Sequence, residues 1–261
     1  MQNIDPIFIL HPIIVITICS VLLISCYFKR RFHLTVLIYS LVAYAGAITL
    51  KYAVQIPTIN LVINNFGAHS IALGLYYGFQ TVIFEVVLAF LVAWYAFKHN
   101  KIERKDAEAY GLGLAFWENA AFLSILTLIN LVAYWSILQT NTPLAQTVYD
   151  QLNKNATNLF APTSQALSSV AIGTVERISS IIFHFAWGYL CIMAVAYNKK
   201  RLFLIALPMG FVDFLVPFAG QTGIIVFEAT IFALSVLSLA IALIATKQIR
   251  KSSENQKILK N

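Results

Sequence analysis

Residues 166–197, ALSSVAIGTVERISSIIFHFAWGYLCIMAVAY, decide the fold of this chain. The stretch is mostly apolar and is longer than the about 20 residues that a helix needs to cross the hydrocarbon core of a bilayer. The whole chain of 261 residues has the same character, with 59% hydrophobic residues, 11% charged residues and a mean hydropathy of +0.77. Soluble domains carry about 25% charged residues. The composition therefore indicates a membrane protein.

Seven stretches are long and apolar enough to span a bilayer. They predict an all-α, polytopic bundle of seven transmembrane helices that forms a single domain over residues 1–246. The sixth stretch is short and holds Pro208 and Pro217, which remove backbone donors and tend to kink or end a helix. The predicted spans are 7–28, 33–55, 70–97, 110–138, 166–197, 202–218 and 223–246.

The basic residues orient this bundle. Most of the 18 lysine and arginine residues lie in segments 29–31, 98–105, 199–201 and 247–260, which all fall on one side of the predicted spans. The positive-inside rule predicts that this side is cytoplasmic, with the N-terminus outside and the C-terminus inside. Segment 247–261 is then a basic cytoplasmic tail. The net charge of +7 reflects topology, and nucleic acid is excluded as a partner.

One long loop, residues 139–165, lies outside in this topology. Thr142 and Pro143 are typical of the cap and first residue of a helix, and apolar residues follow at four-residue spacing. We expect a short surface helix in this loop, which serves either as a lid over a site or as a plain connector. The whole chain is expected to be an integral protein of a prokaryotic cell membrane.

Ionisable residues inside the spans mark the candidate site. Each costs about 2.5–3.5 kcal/mol at the bilayer centre, so each requires a reason to be there. At 1.5 Å per residue, four of them lie roughly 18–22 Å from the cytoplasmic basic clusters. These four, which predict one water-accessible cavity near the midplane, are Glu85, Glu118, His184 and Asp213.

Four other charged residues fall farther out, at roughly 28–35 Å. They predict a separate outer cluster of mutually compensating charges with a structural role. Its members are Lys51, Glu176, Arg177 and Glu228.

Small and polar residues at helical spacing predict how two of the spans pack. In the fifth span Gly173, Arg177, Ser180, His184, Gly188 and Cys191 share one helix face, and in the fourth span Gly111, Ala115, Glu118 and Ala121 do the same. Small residues let helices approach closely in membranes. We therefore expect Glu118 and His184 to face a common interior. A simpler interpretation also exists, in which His184 and Asn119 are structural residues. Buried polar side chains in membranes commonly serve only to join helices by hydrogen bonds.

Residues 111–122, GLGLAFWENAAF, resemble the second motif of the PrsW-type glutamic intramembrane proteases, a glycine-rich segment that ends in Glu-Asn. Glu176 and Arg177, followed by His184 and Gly188, are similar to the later Arg/His segment of PrsW proteins and of the related YhfC family. The resemblance covers residues 84–213.

The first and last parts of the resemblance are less complete. Glu85 stands where the family has a Glu-Glu-x-x-Lys-like motif, and Asp213 stands where a further helix supplies a polar residue. No second glutamate adjoins Glu85, and the positions expected to be basic hold Leu88 and Ala89. Met209 occupies the expected place of a second histidine. These departures indicate a divergent member, either an enzyme or a non-catalytic relative.

The resemblance implies an intramembrane endopeptidase of the glutamic type, which hydrolyses membrane-associated proteins with a carboxylate-activated water. Glu118 would be the general base, and Asn119 and His184 would orient water or donate to the oxyanion. Glu85 and Asp213 would tune protonation or complete the polar cavity. The partners would be the lipid bilayer and a membrane-protein or peptide substrate.

We expect no cofactor. His184 together with the neighbouring carboxylates has the chemistry to ligate a divalent ion, but one histidine leaves few of the nitrogen or sulfur ligands that zinc favours. Two other classes of function fit the same residues. A proton- or ion-coupled transporter would use the acids at the midplane, although the chain lacks an internal repeat. A non-catalytic relative would bind membrane helices in the same polar groove.

Overall fold

The computed structural model describes residues 4–30, 32–140 and 142–258. Within these ranges the regular structure is helical, and seven helical stretches are long and apolar enough to cross a membrane. The predicted all-α bundle with seven spans is confirmed. Its orientation stays a prediction, and residues 31 and 260 of the basic segments lie outside the described residues. Spans 1 to 7 are Pro6–Lys29, Thr35–Phe66, Ile71–Lys98, Arg104–Leu138, Thr163–Ala196, Lys200–Thr222 and Ile224–Ser252.

Several spans change helix type along their length. Spans 3 and 4 each contain a π-helical segment, and span 6 contains a 3-10 segment. The α-helices are Leu10–Arg30, Thr35–Phe66, Ile71–Gln80, Leu88–Lys98, Ala107–Ala115, Ile125–Leu138, Pro143–Asn155, Thr163–Ala196, Lys200–Gly210, Ala219–Thr222 and Ile224–Ile258. The π segments are Thr81–Val87 and Phe116–Ser124, and the 3-10 segments are Pro6–Ile9, Arg104–Asp106, Thr157–Phe160 and Phe211–Phe218.

Span 5 is the central helix of the bundle. In its most apolar window 67% of the residues are buried, against 17% for span 4 and 11% for span 7. Span 4 packs directly on it through glycine: a Cβ added to Gly188 would lie 2.7 Å from the Cα of Gly111. A side chain at either position would force the helices apart. The predicted close approach of spans 4 and 5 through small residues is confirmed.

Span 6 is interrupted where its sequence predicts an irregularity. An α-helix with Pro208 near its end gives way at Phe211 to a 3-10 segment that contains Pro217. Each proline lacks the N–H that an α-helix needs at that position, which favours the change of helix type. Gly223 then joins span 6 to span 7 with a φ of 78°, a left-handed backbone that glycine adopts without strain. Asp213 lies in the 3-10 segment.

The long loop contains the helix Pro143–Asn155, which we name the loop helix. Thr142 caps it by accepting a hydrogen bond from the Ala145 N–H at 3.3 Å. Val148 and Leu152 pack against the buried cluster that includes Leu138 at the end of span 4, whereas the Leu144 side chain is 60% exposed. One face of the loop helix is therefore attached to the bundle. Its position outside the membrane stays a prediction.

Candidate active site

Both glutamates singled out from the sequence lie in π-helical segments. Glu85 belongs to Thr81–Val87, and Glu118 belongs to Phe116–Ser124. A π turn is wider than an α turn, and such segments are rare and frequently occur at functional sites. The same change of helix type at two acidic residues in different spans marks this part of the bundle as the candidate site.

Polar side chains stabilise the wide turn around Glu118. The Asn119 side-chain amide donates to the carbonyl oxygen of Ala115 at 3.0 Å, and Ser124 Oγ donates to the carbonyl oxygen of Asn119 at 2.6 Å. Asn119 and Ser124 are both buried. Their hydrogen bonds satisfy carbonyl groups in a segment that departs from α-helical pairing. Asn119 therefore supports the backbone that carries Glu118.

His184 on span 5 has one ring nitrogen fixed by its own helix. Nδ1 lies 2.9 Å from the carbonyl oxygen of Ser180, which only accepts hydrogen bonds, so Nδ1 is the donor. Nε2 is in close contact with Glu118 Oε2 and lies 3.3 Å from Glu85 Oε2. Glu118 Oε2 and His184 Nε2 are buried, and outside this group of three side chains neither has a hydrogen-bond partner. One atom from each of the three residues lies within 4.8 Å of the others.

Lys51 of span 2 lies between two carboxylates next to this cluster. Its Nζ is 2.6 Å from Glu85 Oε1, 3.2 Å from Asp213 Oδ2 and 2.8 Å from Thr81 Oγ1. Thr81 also donates to Asp213 Oδ2 at 2.5 Å. The ammonium group neutralises one side of Glu85, so only Oε2 of that carboxylate is directed at His184. Lys51 thus supplies from span 2 the basic partner that Glu85 lacks in its own helix.

Arg177 supplies the second positive charge of the site. Its guanidinium pairs with Glu176, lies 3.9 Å from Glu118 Oε1, and donates to Asn119 Oδ1 at 3.4 Å. The side chain is 18% exposed. Asn119 therefore has a second contact that orients Arg177 beside Glu118.

All these charged residues line one cavity of about 360 Å³. Five carboxylates line it with two cationic side chains and one histidine, so acidic groups are in excess. Hydrophobic side chains from spans 2, 5, 6 and 7 complete its wall. The charged and histidine residues of the lining are Lys51, Glu85, Glu118, Glu176, Arg177, His184, Asp213 and Glu228.

The prediction of a separate outer cluster is wrong. Glu228 and Glu176 line the same cavity as Glu118, and Lys51 pairs with Glu85 and not with the outer acids. Depth had been counted from residue 31, whereas the helix of span 2 begins at Thr35. Lys51 is then about 16 helical residues, or about 24 Å, along span 2, close to the roughly 20 Å estimated for Glu85. Its long side chain covers the remaining separation.

The structure brings four of the five predicted site residues together and leaves one outside. Glu85, Glu118, His184 and Asp213 line the cavity, while Asn119 is fully buried with its amide bonded to the helix backbone. Asn119 is not among the residues that line the cavity.

Five residues that line the cavity were not assigned to the site from the sequence. Four of them were placed in the outer cluster, namely Lys51, Glu176, Arg177 and Glu228, and the fifth is Thr81. A sequence signal existed for Lys51, because a lysine within a span requires an acidic partner and Glu85 lacked a base. Arg177 lies on the same helix face as His184, and it was assigned to the outer cluster only because of its estimated depth. The hydroxyl of Thr81 carries no such signal.

These features define a polytopic membrane protein with a polar, histidine- and carboxylate-lined cavity enclosed by its spans. The chain belongs to a family of intramembrane proteases, the YhfC intramembrane metalloprotease family, whose sequence model matches residues 13–244. No curated protein and no solved structure matches the chain. Membership confirms the YhfC part of the resemblance and intramembrane proteolysis as the activity of the family. The PrsW-type glutamic identity stays a hypothesis.

The cluster of Glu85, Glu118 and His184 fits a divalent metal ion. One imidazole nitrogen and carboxylate oxygens form a donor set that such ions accept. The hydrogen bond from His184 Nδ1 to a carbonyl oxygen is the contact that usually fixes a metal-binding histidine, and two of the converging atoms have no other partner. The excess of acidic groups also favours a cation. The expectation of a site without a cofactor is therefore not supported.

Proposed function

We propose that this chain is a metal-dependent intramembrane peptidase, with a divalent ion held by Glu85, Glu118 and His184. The single observation that carries the proposal is the convergence of three donor atoms within 4.8 Å of one another, inside a cavity among the spans. An ion bound there would polarise the scissile carbonyl group and lower the pKa of a bound water, as in other metal-dependent hydrolases.

The protein's own residues have distinct tasks in this proposal. Ser180 holds the His184 ring in the tautomer that leaves Nε2 with a free electron pair. Lys51 pairs with Glu85 and aligns it by binding Oε1, so that Oε2 is available to the site. Arg177 is placed to stabilise negative charge on the carbonyl oxygen when the tetrahedral intermediate forms.

Glu118 has two oxygens in different surroundings. Oε2 faces His184, whereas Oε1 lies 3.9 Å from the Arg177 guanidinium. In our proposal Oε1 accepts the proton of the water that attacks the carbonyl carbon. It returns that proton to the leaving amine nitrogen when the C–N bond breaks, which gives one new carboxyl group and one new amino group.

A metal-free mechanism of the glutamic type is the second candidate. Its support is the motif at residues 111–122, which resembles that of the PrsW-type proteases. Glu118 would again be the general base, and His184 and Arg177 would stabilise the oxyanion. The two candidates share their site and differ only in their need for an ion.

Chelation separates the two candidates. The purified protein in liposomes would be incubated with a panel of single-span test proteins, before and after treatment with 1,10-phenanthroline, and its metal content measured by mass spectrometry. We expect cleavage that is lost on chelation and restored by one divalent ion. Asp150→Asn, on the exposed face of the loop helix, is the control variant and should behave as the parent protein.

Two results would contradict the proposal. Full cleavage by the metal-free protein, together with loss of cleavage in Glu118→Gln, would favour the glutamic mechanism. The absence of cleavage across the panel with metal bound would reject the peptidase, and proton or ion flux in the same liposomes would then indicate a transporter.

A further inference from the structure

A second cavity adjoins the active-site cavity and opens between spans 6 and 7. Its volume is about 540 Å³, and its lining is almost entirely apolar. Phe183, the neighbour of His184, and Val212, the neighbour of Asp213, line both cavities. The two cavities are therefore neighbours, one polar and one apolar, and we name the pair the span 6–7 groove.

Span 7 faces this groove with a stripe of residues at regular helical spacing. The stripe begins in the active-site cavity and continues into the apolar cavity, with steps of four, three, four and three residues. This spacing places its members on one side of the helix and is the pattern that receives a second helix. Its length is about 21 Å at 1.5 Å per residue. The stripe consists of Phe227, Ile231, Leu234, Ser238 and Ile241.

The packing of span 7 leaves part of this stripe exposed, although Ile231 packs against the main buried cluster. Only 11% of the most apolar window of span 7 is buried within the described bundle, against 67% for span 5. Leu234 and Ile241 are 36% and 40% exposed. This face of span 7 forms one wall of the groove, and span 6 forms the other.

Glu228 lies at the polar end of the groove and has an unsatisfied acceptor. The residue is only 6% exposed, and its Oε2 is buried without a hydrogen-bond partner. A buried carboxylate oxygen without a donor destabilises the protein, so such an atom requires a partner such as a water, an ion or a ligand. A lipid acyl chain in the groove has no donor to offer, whereas a peptide main chain has an N–H at nearly every residue.

We propose that the span 6–7 groove binds the transmembrane helix of the substrate, which reaches it sideways from the bilayer. This inference rests on the proposed peptidase function. The helical part of the substrate lies along the apolar end, with a small side chain against Ser238. Its last turn is unwound beside Glu118, where a freed main-chain N–H donates to Glu228 Oε2. The substrate class is thus a membrane protein whose span contains a helix-breaking residue near one end.

Photo-crosslinking tests the docking site directly. The probe is a synthetic peptide with one span of about 20 leucine and alanine residues and a Gly-Pro break near one end, in phosphatidylcholine liposomes. A photoreactive amino acid would replace Leu234 or Ile241 in the Glu118→Gln protein. Val236, which is 45% exposed on the opposite side of span 7, is the matched control position. We expect peptide adducts from the two stripe positions and none from the control.

Kinetics on the parent protein give a second, independent measurement. Ser238→Trp fills the groove and should raise KM for the single-span peptide at least tenfold, whereas Val236→Trp should leave it unchanged. Glu228→Leu removes the acceptor and should raise KM, while Glu228→Gln keeps an acceptor oxygen and should raise it less. A circular-dichroism melting curve for each variant verifies folding, and a variant that fails to fold is replaced by Ser238→Phe.

The outcomes distinguish failure of this inference from failure of the proposed function. Cleavage of the probe by the parent protein, with equal adducts at all three positions or with lipid adducts alone at the stripe, would reject the docking site and leave the peptidase. Stripe-specific adducts without any cleavage by the parent protein would support a groove that binds membrane helices and reject the peptidase on which its role depends.

Discussion

Replacing Lys51 with methionine should destabilise the protein and change its response to divalent metal. Lys51 Nζ is 2.6 Å from Glu85 and 3.2 Å from Asp213, and its side chain is 16% exposed. Methionine fills the same volume without the charge, so two largely buried carboxylates lose their counter-ion. Breaking a buried pair in this way typically costs about 3–5 kcal/mol. We expect the free energy of unfolding of the metal-depleted variant to fall by about this amount.

A divalent ion should recover more stability in Lys51→Met than in the parent protein. Without Lys51, both oxygens of Glu85 are available to an ion, and ligands that bind only the folded state stabilise it by about 2.7 kcal/mol at a hundred times their Kd. In the double variant with Glu85→Gln, part of the lost stability should return even without metal, because one of the two unpaired charges is gone.

Unfolding by titration of sodium dodecyl sulfate into protein in mild detergent, followed by tryptophan fluorescence, provides the measurement. Lys154→Met, an exposed lysine at the end of the loop helix, is the control and should change stability by less than about 0.5 kcal/mol. A loss of less than about 1 kcal/mol for Lys51→Met in chelator would refute the reasoning, because Lys51 would then not be the counter-charge of the cavity.

Further variants test the chemistry, the packing and the topology. Glu118→Gln should reduce cleavage of a verified single-span substrate by roughly 10²- to 10⁴-fold, whereas Glu228→Gln should reduce it far less; equal turnover by Glu118→Gln and the parent would remove Glu118 from the mechanism. Gly188→Leu should destabilise the bundle by at least about 1–3 kcal/mol in the same unfolding assay through forced separation of spans 4 and 5, while Gly220→Ala, where an added Cβ meets no atom within 4 Å, should have little effect. A cysteine at Asn155 should react with an impermeant thiol reagent from outside only; labelling solely from the cytoplasmic side would overturn the predicted topology.

The seven spans were predictable from the sequence because each assignment depends on the summed hydropathy of many residues. A run of about 20 apolar residues is rarely produced by chance, so local errors do not change the assignment. The ends were less certain for a physical reason. Span 2 was predicted to end at residue 55, but its helix of 32 residues continues through Pro57 to Phe66. At 1.5 Å per residue this helix is about 48 Å long, which exceeds the about 30 Å of the hydrocarbon core. Helix length and span length are different quantities.

The site was predictable only as far as helix faces and depths define it. Glu118 and His184 were expected to face one interior because small residues share their faces, and the structure brings them into contact. The placement of Lys51 and Asn119 depends on where a side chain ends, and spacing along the chain does not carry that information. Lys51 reaches inward to acids on two other spans, while Asn119 turns back to its own helix.

The π segments at Glu85 and Glu118 amount to single-residue insertions in otherwise α-helical spans. An α-helix turns about 100° per residue, so everything after such an insertion is rotated by about that angle relative to what precedes it. Deleting one residue between Phe116 and Ser124 would restore an ordinary helix and all of its backbone pairing, yet it would turn the following half of span 4 to a different neighbour. Such a deletion would preserve the helix and disrupt the site. A relative that lacked one residue within 116–124 would therefore differ from this chain in the geometry of the site, and not only in sequence.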